Sequence, residues 1–301
     1  MAHSLGICTV FNNINSLNYE KRKLVEEAQK VYDKVILINT RHVTYQFISG
    51  RAKPILLHDG EDISDLSSLH VRSTTRRETS TSLLVHSLKL CGCDVFDPVD
   101  RFAVGYASKL LSTLSRFEKR VGSNSFFAFR YDNAMELLMK LDEENMFPLI
   151  VKPIKGKKGK GVQTLHDLDS ARINAADFFS NVYTEDEPLF LQTYENFVEE
   201  FRVLAVDGGI LGIAKKLPRK GSTANAAQGA EFVKVERPEL VEFLLPHISN
   251  QGVVGIDIAA DDSGRFHILE TNWAPSWSHF EAATGINVAE FIIKRSIQRF
   301  M

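Results

Sequence analysis

The segment 253–272, VVGIDIAADDSGRFHILETN, places the strongest constraint on how this chain can fold. Two apolar runs flank the turn 261–265, a pattern that predicts two paired antiparallel strands. Asp257 lies near the end of the first run, and Glu270 and Asn272 lie near the end of the second. Because strand residues two apart share a face, one face should carry three oxygen-bearing side chains. Such oxygens suit Mg²⁺ bound against a triphosphate, and the alternative is a capped hairpin without an ion.

A second hairpin is predicted upstream at 147–165, FPLIVKPIKGKKGKGVQTL. An apolar strand ends in Lys152-Pro153, and a loop with three glycines and four lysines precedes a second strand-like run at 161–165. Glycine lets the backbone approach phosphates closely, and successive amide groups form anion-binding nests. The spacing matches neither a Walker A loop nor a dinucleotide fingerprint, and a solvated basic loop is the alternative. Lys152 stands out because lysine within an apolar strand is rarely buried unless it is paired.

Composition excludes several classes of function. A net charge of −2 argues against nucleic acid as the main partner. No apolar run approaches the length of a membrane helix, and residues 1–11 lack the apolar core of a signal peptide. Three cysteines, an odd and low number, indicate reduced thiols and a cytoplasmic location. Cys91 and Cys93 have no matching second pair, which disfavours a metal site there.

The chain opens with a strand at 5–11, an amphipathic helix at 20–32 and a buried strand at 35–39, a β-α-β unit that implies a parallel sheet. Further helices are predicted at 81–91, 107–121, 133–144, 167–179, 238–248 and 288–300. Further strands are predicted at 94–96 and 189–194, with a hairpin of 201–206 and 210–217. A polar loop is predicted at 219–229.

This order of elements resembles the ATP-grasp superfamily, closest to the ribosomal-protein glutamate ligases (RimK type), lysine-biosynthesis ligases and related amino-acid ligases. The matching blocks are FPLIVKPIKGKKGKGV, FLQTYENFVEEFRVLAV and GIDI with ILETNWAPSWSHFEAATGINV. The resemblance implies an α/β (α+β) fold that clamps a nucleotide between two β-sheets. It implies a Rossmann-like N-terminal pre-ATP-grasp domain at 1–105, a central subdomain at 106–187 and a C-terminal subdomain at 188–301.

The resemblance also implies roles for individual residues. Phosphates, adenine and ribose would be contacted by Lys109, Lys152, Gly159, Gly161, Gln192, Thr193, Tyr194, Glu200 and Lys216. The residues nearest the reacting groups would be Arg202, Lys215 and Asn225, with either Lys215 or Lys216 facing the phosphates. The metal ligands would be Asp257, Glu270 and Asn272. Two departures stand out: 228–230 replaces a common Arg-Gly-Gly, and Trp273 and Trp277 either shape an apolar substrate pocket or pack ordinarily.

The activity implied is ligation of a carboxylate to an amine through an acyl phosphate, with release of ADP and phosphate. ATP and Mg²⁺, or Mn²⁺ in its place, would be required. Substrates would be small-molecule or peptide carboxylates and amines, without nucleic acid or membrane, in a monomer or a homo-oligomer (dimer or tetramer). Arg72 is a candidate clamp for a substrate carboxylate, or a solvent-facing arginine, since Arg76 and Arg77 follow. The alternative function is an ATP-binding regulator or scaffold of the same fold.

Overall fold

The computed structural model describes residues 3–9, 11, 14–72, 78–102, 109–154, 161–181, 187–217 and 231–300. The strands are β1 (Ser4–Cys8), β2 (Lys34–Ile38), β3 (Val43–Gln46), β4 (Ile55–His58), β5 (Glu61–Asp62), β6 (Ser68–Val71), β7 (Asp94–Val95), β8 (Ser125–Ala128), β9 (Leu149–Val151), β10 (Gln163–Leu165), β11 (Leu189–Thr193), β12 (Phe197–Val206), β13 (Gly209–Leu217), β14 (Glu231–Val235), β15 (Val253–Asp261) and β16 (Phe266–Asn272). The α-helices are α1 (Tyr19–Ala28), α2 (Glu78–Cys91), α3 (Lys109–Glu118), α4 (Tyr131–Glu143), α5 (Leu168–Asn181), α6 (Pro238–Leu244), α7 (Ser278–Thr284) and α8 (Val288–Gln298). No helix among these residues is long and apolar enough to cross a bilayer.

The N-terminal part is a parallel sheet in the order β2-β1-β6-β7. Leu5 and Ile7 of β1 are fully buried beside Leu24 of α1, while Leu69 of β6 packs with Leu84 of α2 in a second cluster. Apolar residues on both faces of a strand are typical of a parallel sheet that is covered on both sides. The predicted β-α-β opening is confirmed, whereas the small antiparallel sheet β3-β4-β5 was not predicted.

The central part is an antiparallel sheet in the order β10-β9-β11-β8, covered by α4 and α5. Leu138 and Ala175 of these helices pack against Leu149 and Leu191 of the sheet. Because β11 pairs with both β8 and β9, it belongs to the central sheet. The predicted division after residue 187 falls just before β11, whereas the central sheet extends to Thr193.

The C-terminal part is a five-stranded antiparallel sheet in the order β14-β13-β12-β15-β16. One face is apolar and packs on α6, with Phe201 and Ile256 against Leu240 and Leu244. On the other face Leu204 and Val206 join Trp277 and the N-terminal Leu5 in one cluster. The N-terminal and C-terminal sheets therefore share a core, which covers one end of this second face.

Candidate active site

The other end of that face carries charged side chains from four neighbouring strands. In β12, Glu200 and Arg202 are two apart and so point the same way. Lys216 of β13 lies opposite Glu200, and Asp257 of β15 lies opposite Arg202. Glu270 of β16 lies opposite Asp257 in turn. Alternation along the strands thus gathers residues distant in sequence into one charged face.

Asp257 is the centre of this face. Its carboxylate accepts hydrogen bonds from Nε and Nη2 of Arg202 at 2.8 and 2.9 Å, which makes a bidentate ion pair. Lys216 Nζ lies 2.7 Å from Asp257 Oδ1 and 3.5 Å from Glu200 Oε2. Asp257 sits in the middle of β15 rather than near its end as predicted, because β15 continues to Asp261. This position lets a single carboxylate bind one cation from β12, the adjacent strand, and one from β13, the strand beyond it.

Burial raises the pKa of the Glu200 carboxyl, while the charge of Lys216 opposes that rise and the nearby Asp257 adds to it. On the other side of Asp257, burial lowers the pKa of the Arg116 guanidinium of α3, and the negative charge of the Glu270 carboxylate opposes this shift. A backbone bond from Ile268 N–H to Val121 O, at 2.9 Å, fixes the chain that follows α3 beside β16.

Glu270 and Asn272 supply further oxygens at the end of β16. Glu270 is exposed, and no hydrogen bond or ion pair of its carboxylate is found among the described residues. Asn272 Oδ1 accepts the Ala274 N–H at 3.1 Å, which uses one of its two lone pairs. Two carboxylates and an amide oxygen on adjacent strands are hard ligands that fit Mg²⁺. To bind Mg²⁺, Asp257 would have to give up part of its contact with Arg202 and Lys216.

Lys152 follows β9 in the central sheet, and its Nζ donates to Gln192 Oε1 at 2.6 Å. Gln192 Nε2 donates to Ser125 Oγ at 2.8 Å, which orients the amide. The N–H groups of Thr193 and Tyr194 are already bonded, to Asn124 O and Pro148 O, both at 3.1 Å. These two N–H groups are therefore engaged within the protein, and contact of Gln192, Thr193 and Tyr194 with the nucleotide stays a prediction.

A family model described as the RimK-like ATP-grasp domain matches residues 109–296, more than half of the chain. The chain belongs to the RimK-like ATP-grasp family. The resemblance inferred from the sequence motifs is thus confirmed, and with it the mixed α/β ATP-grasp fold and the enzyme class, a carboxylate–amine ligase. Family membership allows the residues of the charged face to be compared with the roles that the sequence resemblance implies.

Proteins of similar sequence and structure are named as ligases. The α-aminoadipate–LysW ligase LysX of Sulfurisphaera tokodaii is 24% identical over 296 residues, covering 93% of this chain and 94% of that protein. A probable α-L-glutamate ligase of Marinomonas sp. is 23% identical over 286 residues, covering 92% and 90%. The structure of the ATP-grasp ligase PsnB complexed with minimal precursor has a TM-score of 0.75 at 14% identity, covering all of both chains. Because the sequence identity to PsnB is only 14%, the similarity to its structure shows the fold alone.

The ATP-grasp sheet separates Lys215 from Lys216. Lys215 lies opposite Phe201, on the apolar face, where its Nζ is 2.5 Å from Glu199 Oε1. Arg237 binds the other oxygen of Glu199 at 2.7 Å. The structure does not bring Lys215 to the charged face, because adjacent strand residues point to opposite faces. Lys216 is the lysine of the charged face.

Arg72 is not in an exposed polar turn. It follows β6, and its Nη2 lies 2.5 and 2.7 Å from the two oxygens of Asp97, a carboxylate with no exposed surface. The expectation of a solvent-facing arginine is wrong, because a buried acid 25 positions later holds the guanidinium inside the protein. Its role toward a substrate stays a prediction.

Other predicted residues are described in part or not at all. Lys109 begins α3, although its side chain is not described. Gly161 has φ +78°, and a Cβ there would lie 3.2 Å from Pro153, so glycine suits this end of the loop. Gly159 and Asn225 lie outside the described residues, as do segments 155–160 and 218–230. Arg116 was missed; its one signal is its position on the strongly amphipathic α3.

Proposed function

We propose that this protein is an ATP- and Mg²⁺-dependent ligase that joins a carboxylate to an amine through an acyl phosphate. The observation that carries the proposal is the charged face, where Arg202 and Lys216 converge on Asp257 beside Glu270. Cations next to oxygen ligands match what phosphoryl transfer needs, which is charge neutralisation and positioning more than covalent catalysis. A likeness to PsnB complexed with Mg and ADP, with a TM-score of 0.70, adds support.

The chemistry has two steps. A carboxylate oxygen of the substrate attacks the γ-phosphorus of ATP, the bond to the bridging oxygen breaks, and ADP leaves. The nitrogen of the amine then attacks the acyl carbon, phosphate leaves with the C–O electron pair, and the ammonium proton is lost to solvent. Neither step needs a side-chain nucleophile, which fits a face made of cations and oxygen ligands.

Each part of the charged face has a role in these steps. Arg202 and Lys216 would stabilise the negative charge that gathers on the transferring oxygens. Lys152, which follows β9 in the central sheet, would hold the phosphates of the nucleotide. Asp257, Glu270 and Asn272 would hold Mg²⁺, or Mn²⁺ in its place, which supplies further charge neutralisation. Glu200, beside Lys216, would accept hydrogen bonds from the ribose hydroxyls.

The acids named for the relatives, α-aminoadipate and glutamate, support a small amino acid or a peptide side chain as one substrate. PsnB complexed with its precursor peptide adds a peptide as an alternative. We place the reaction in the cytoplasm, where ATP is made and where three buried cysteines outside any disulfide stay reduced. A homodimer or homotetramer stays a prediction.

Hydroxylamine trapping tests the proposal. Protein incubated with ATP, Mg²⁺, hydroxylamine and a panel of carboxylates should form a hydroxamate together with ADP, because hydroxylamine intercepts an acyl phosphate. Arg202→Ala should suppress the product, whereas Arg237→Ala, on the opposite face, should retain it. Formation of AMP and pyrophosphate would refute the acyl-phosphate route. ATP binding without any product across the panel would favour the regulator or scaffold.

A further inference from the structure

Two histidines and one aspartate meet at the end of the small antiparallel sheet β3-β4-β5, in the N-terminal part of the chain. His42 directly precedes β3, His58 ends β4, and Asp59 begins the turn from β4 to β5. One nitrogen of each histidine and a carboxylate oxygen of Asp59 all lie within 4.8 Å of one another. None of the three residues belongs to the charged face of the C-terminal sheet.

The backbone of this hairpin places the three residues next to one another. Val43 pairs with His58 in the β3-β4 ladder, and the Asp59 N–H donates to His42 O at 3.2 Å. His42 therefore stands opposite Asp59. Only Asp59 and Gly60 separate β4 from β5, and both have positive φ, 50° and 87°, as a type I′ turn requires. A ligand would thus meet three side chains that the main chain has already gathered.

The distances between the side-chain atoms are close to those around a tetrahedral ion. His42 Nδ1 lies 3.0 Å from one oxygen of Asp59 and 3.2 Å from the other, and His58 Nε2 lies 3.7 Å from Asp59 Oδ2. Zinc takes nitrogen and oxygen ligands at about 2.0–2.2 Å, which puts neighbouring ligands of a tetrahedron about 3.3–3.6 Å apart. Small rotations of the two exposed side chains, His42 and Asp59, would complete this geometry.

His58 has the protonation state that a metal ligand needs. The Asn39 N–H donates to His58 Nε2 at 3.2 Å, so this nitrogen carries no proton. Burial lowers the pKa of His58, while Asp59 opposes that shift and His42 adds to it. The imidazole is therefore neutral near pH 7, as metal binding requires. An ion would take the lone pair from the Asn39 N–H, whose bond is at the long end of the usual range.

The charge and the exposure of the cluster suit a cation. Asp59 and Glu61 supply two carboxylates, and Glu61 is paired with Lys34. The side chains of His42 and Asp59 are 48% and 64% exposed, whereas that of His58 is 10% exposed. An ion can therefore enter from solvent, and a water molecule can complete its coordination. Two imidazole nitrogens favour a transition cation over Mg²⁺ and Ca²⁺, which prefer oxygen.

We propose that His42, His58 and Asp59 bind one divalent transition cation such as Zn²⁺, with water as the fourth ligand. The ion would join the segment that follows β2 to the turn between β4 and β5. This site is separate from the Mg²⁺ site of the charged face, and it does not depend on the proposed ligase function.

The segment that follows β2 lies at the carboxyl ends of the parallel strands. Asn39 Nδ2 donates to Phe11 O, beyond β1, at 3.1 Å, and Ser80 Oγ of α2 donates to Thr40 Oγ1 at 2.9 Å. A cation bound at His42 would fix the same segment to the β3-β4-β5 sheet. An ion that binds the folded chain better than the unfolded chain stabilises the fold by mass action, so Zn²⁺ should raise the midpoint of unfolding.

Cobalt(II) spectroscopy tests the site, because tetrahedral Co²⁺ absorbs visible light far more strongly than octahedral Co²⁺. The full chain is titrated with Co²⁺ in excess Mg²⁺, which competes for the oxygen ligands of the charged face but not for imidazole. One ion should bind with tetrahedral bands. His42→Gln and Asp59→Asn, both at exposed positions, should weaken its binding at least tenfold. His86→Gln, which removes an exposed histidine of α2, is the control and should keep the bands.

Urea unfolding gives a second measurement. Zn²⁺ should raise the midpoint of the unchanged chain and of His86→Gln, but not that of His42→Gln or Asp59→Asn, and EDTA should reverse the rise. Tetrahedral bands that persist in both cluster variants would overturn the proposal, as would thiolate charge-transfer bands, which would assign the ion to cysteine. The absence of tetrahedral bands at millimolar Co²⁺ would also overturn it and leave an ordinary imidazole–carboxylate pair.

Discussion

Lys215 and Lys216 are neighbours on β13 but lie on opposite faces of the sheet. Replacing each of them by methionine in turn distinguishes the contribution of the charged face from that of the apolar face. Lys216 Nζ is 2.7 Å from Asp257 Oδ1, and its side chain is 7% exposed. Lys215 Nζ is 2.5 Å from Glu199 Oε1, with a side chain that is 32% exposed. The two substitutions remove the same group from the same strand, and they differ in the face that loses a charge and in how deeply that charge is buried.

The expected magnitudes differ. A hydrogen bond to a charged group contributes about 1.5–3 kcal/mol, so Lys216→Met should lower kcat/KM for ATP about 10- to 150-fold. Removing Lys216 also leaves Asp257 with Arg202 as its remaining cation on the sheet. Lys215→Met breaks a partly exposed pair worth about 0–1 kcal/mol of folding stability, and Arg237 still binds Glu199.

The assay measures ADP release against ATP concentration, with urea unfolding as the check on folding. Lys216→Met should lose turnover at a nearly unchanged unfolding midpoint, and Lys215→Met should keep turnover. Lys216→Arg should restore part of the rate, because a cation returns to the face. Equal losses for the two methionine variants would refute the assignment of Lys216 to the reacting phosphates. So would full activity of Lys216→Met.

Three further predictions follow from single contacts. Glu270→Gln should abolish ADP release without unfolding the protein, because it removes a carboxylate from the predicted metal site; an activity regained at high Mg²⁺ would still support the site, and an unchanged one would not. Lys152→Ala should weaken ATP binding by about 1–3 kcal/mol and AMP binding far less, and equal losses in calorimetry would speak against a phosphate contact. Hydrogen bonds from Ser263 and His267 hold the pKa of Asp261 far below its ordinary value, so it stabilises the fold above pH ~4 and loses this effect as the pH falls. The stability lost in Asp261→Asn should therefore be largest at pH 7 and shrink as the pH is lowered from about 5 toward 2 in urea titrations.

The hairpin that carries Asp257 and Glu270 was predictable, because it depends on the order of apolar and turn residues within one short segment. The hairpin 253–272 forms as its turn and apolar runs indicate, and Asp257 lies opposite Glu270. The choice between Lys215 and Lys216 was not predictable, because a shift of one residue in strand register moves every side chain to the other face. The predicted hairpin of β12 and β13 forms, but its register shifts between Leu204 and Ala205, and the turn sequence does not reveal this irregularity.

The environment of Arg72 also depends on contacts between distant segments. Asp97 follows β7, and it reaches Arg72 only because β6 and β7 are neighbours in the parallel sheet. The sequence around Arg72 is polar and basic, so it suggests exposure, whereas the structure buries the arginine. In the same way, the hinge donors of Thr193 and Tyr194 are used by Asn124 and Pro148, which approach from elements far from β11 in sequence.

The pairing of Asp257 has a consequence for the order in which ligands bind. Arg202 and Lys216 neutralise this carboxylate, so Mg²⁺ alone meets a face on which a main ligand is already bound by two cations. A triphosphate attracts the same two cations, and drawing them toward its oxygens frees Asp257 for the metal. Nucleotide and metal should therefore strengthen each other's binding by the same factor, as linkage requires. Titrations of Mg²⁺ with and without a non-hydrolysable ATP analogue measure that factor, and Asp257→Asn should reduce it. An Mg²⁺ affinity that is the same in both titrations would mean that Asp257 is available to the metal before ATP arrives.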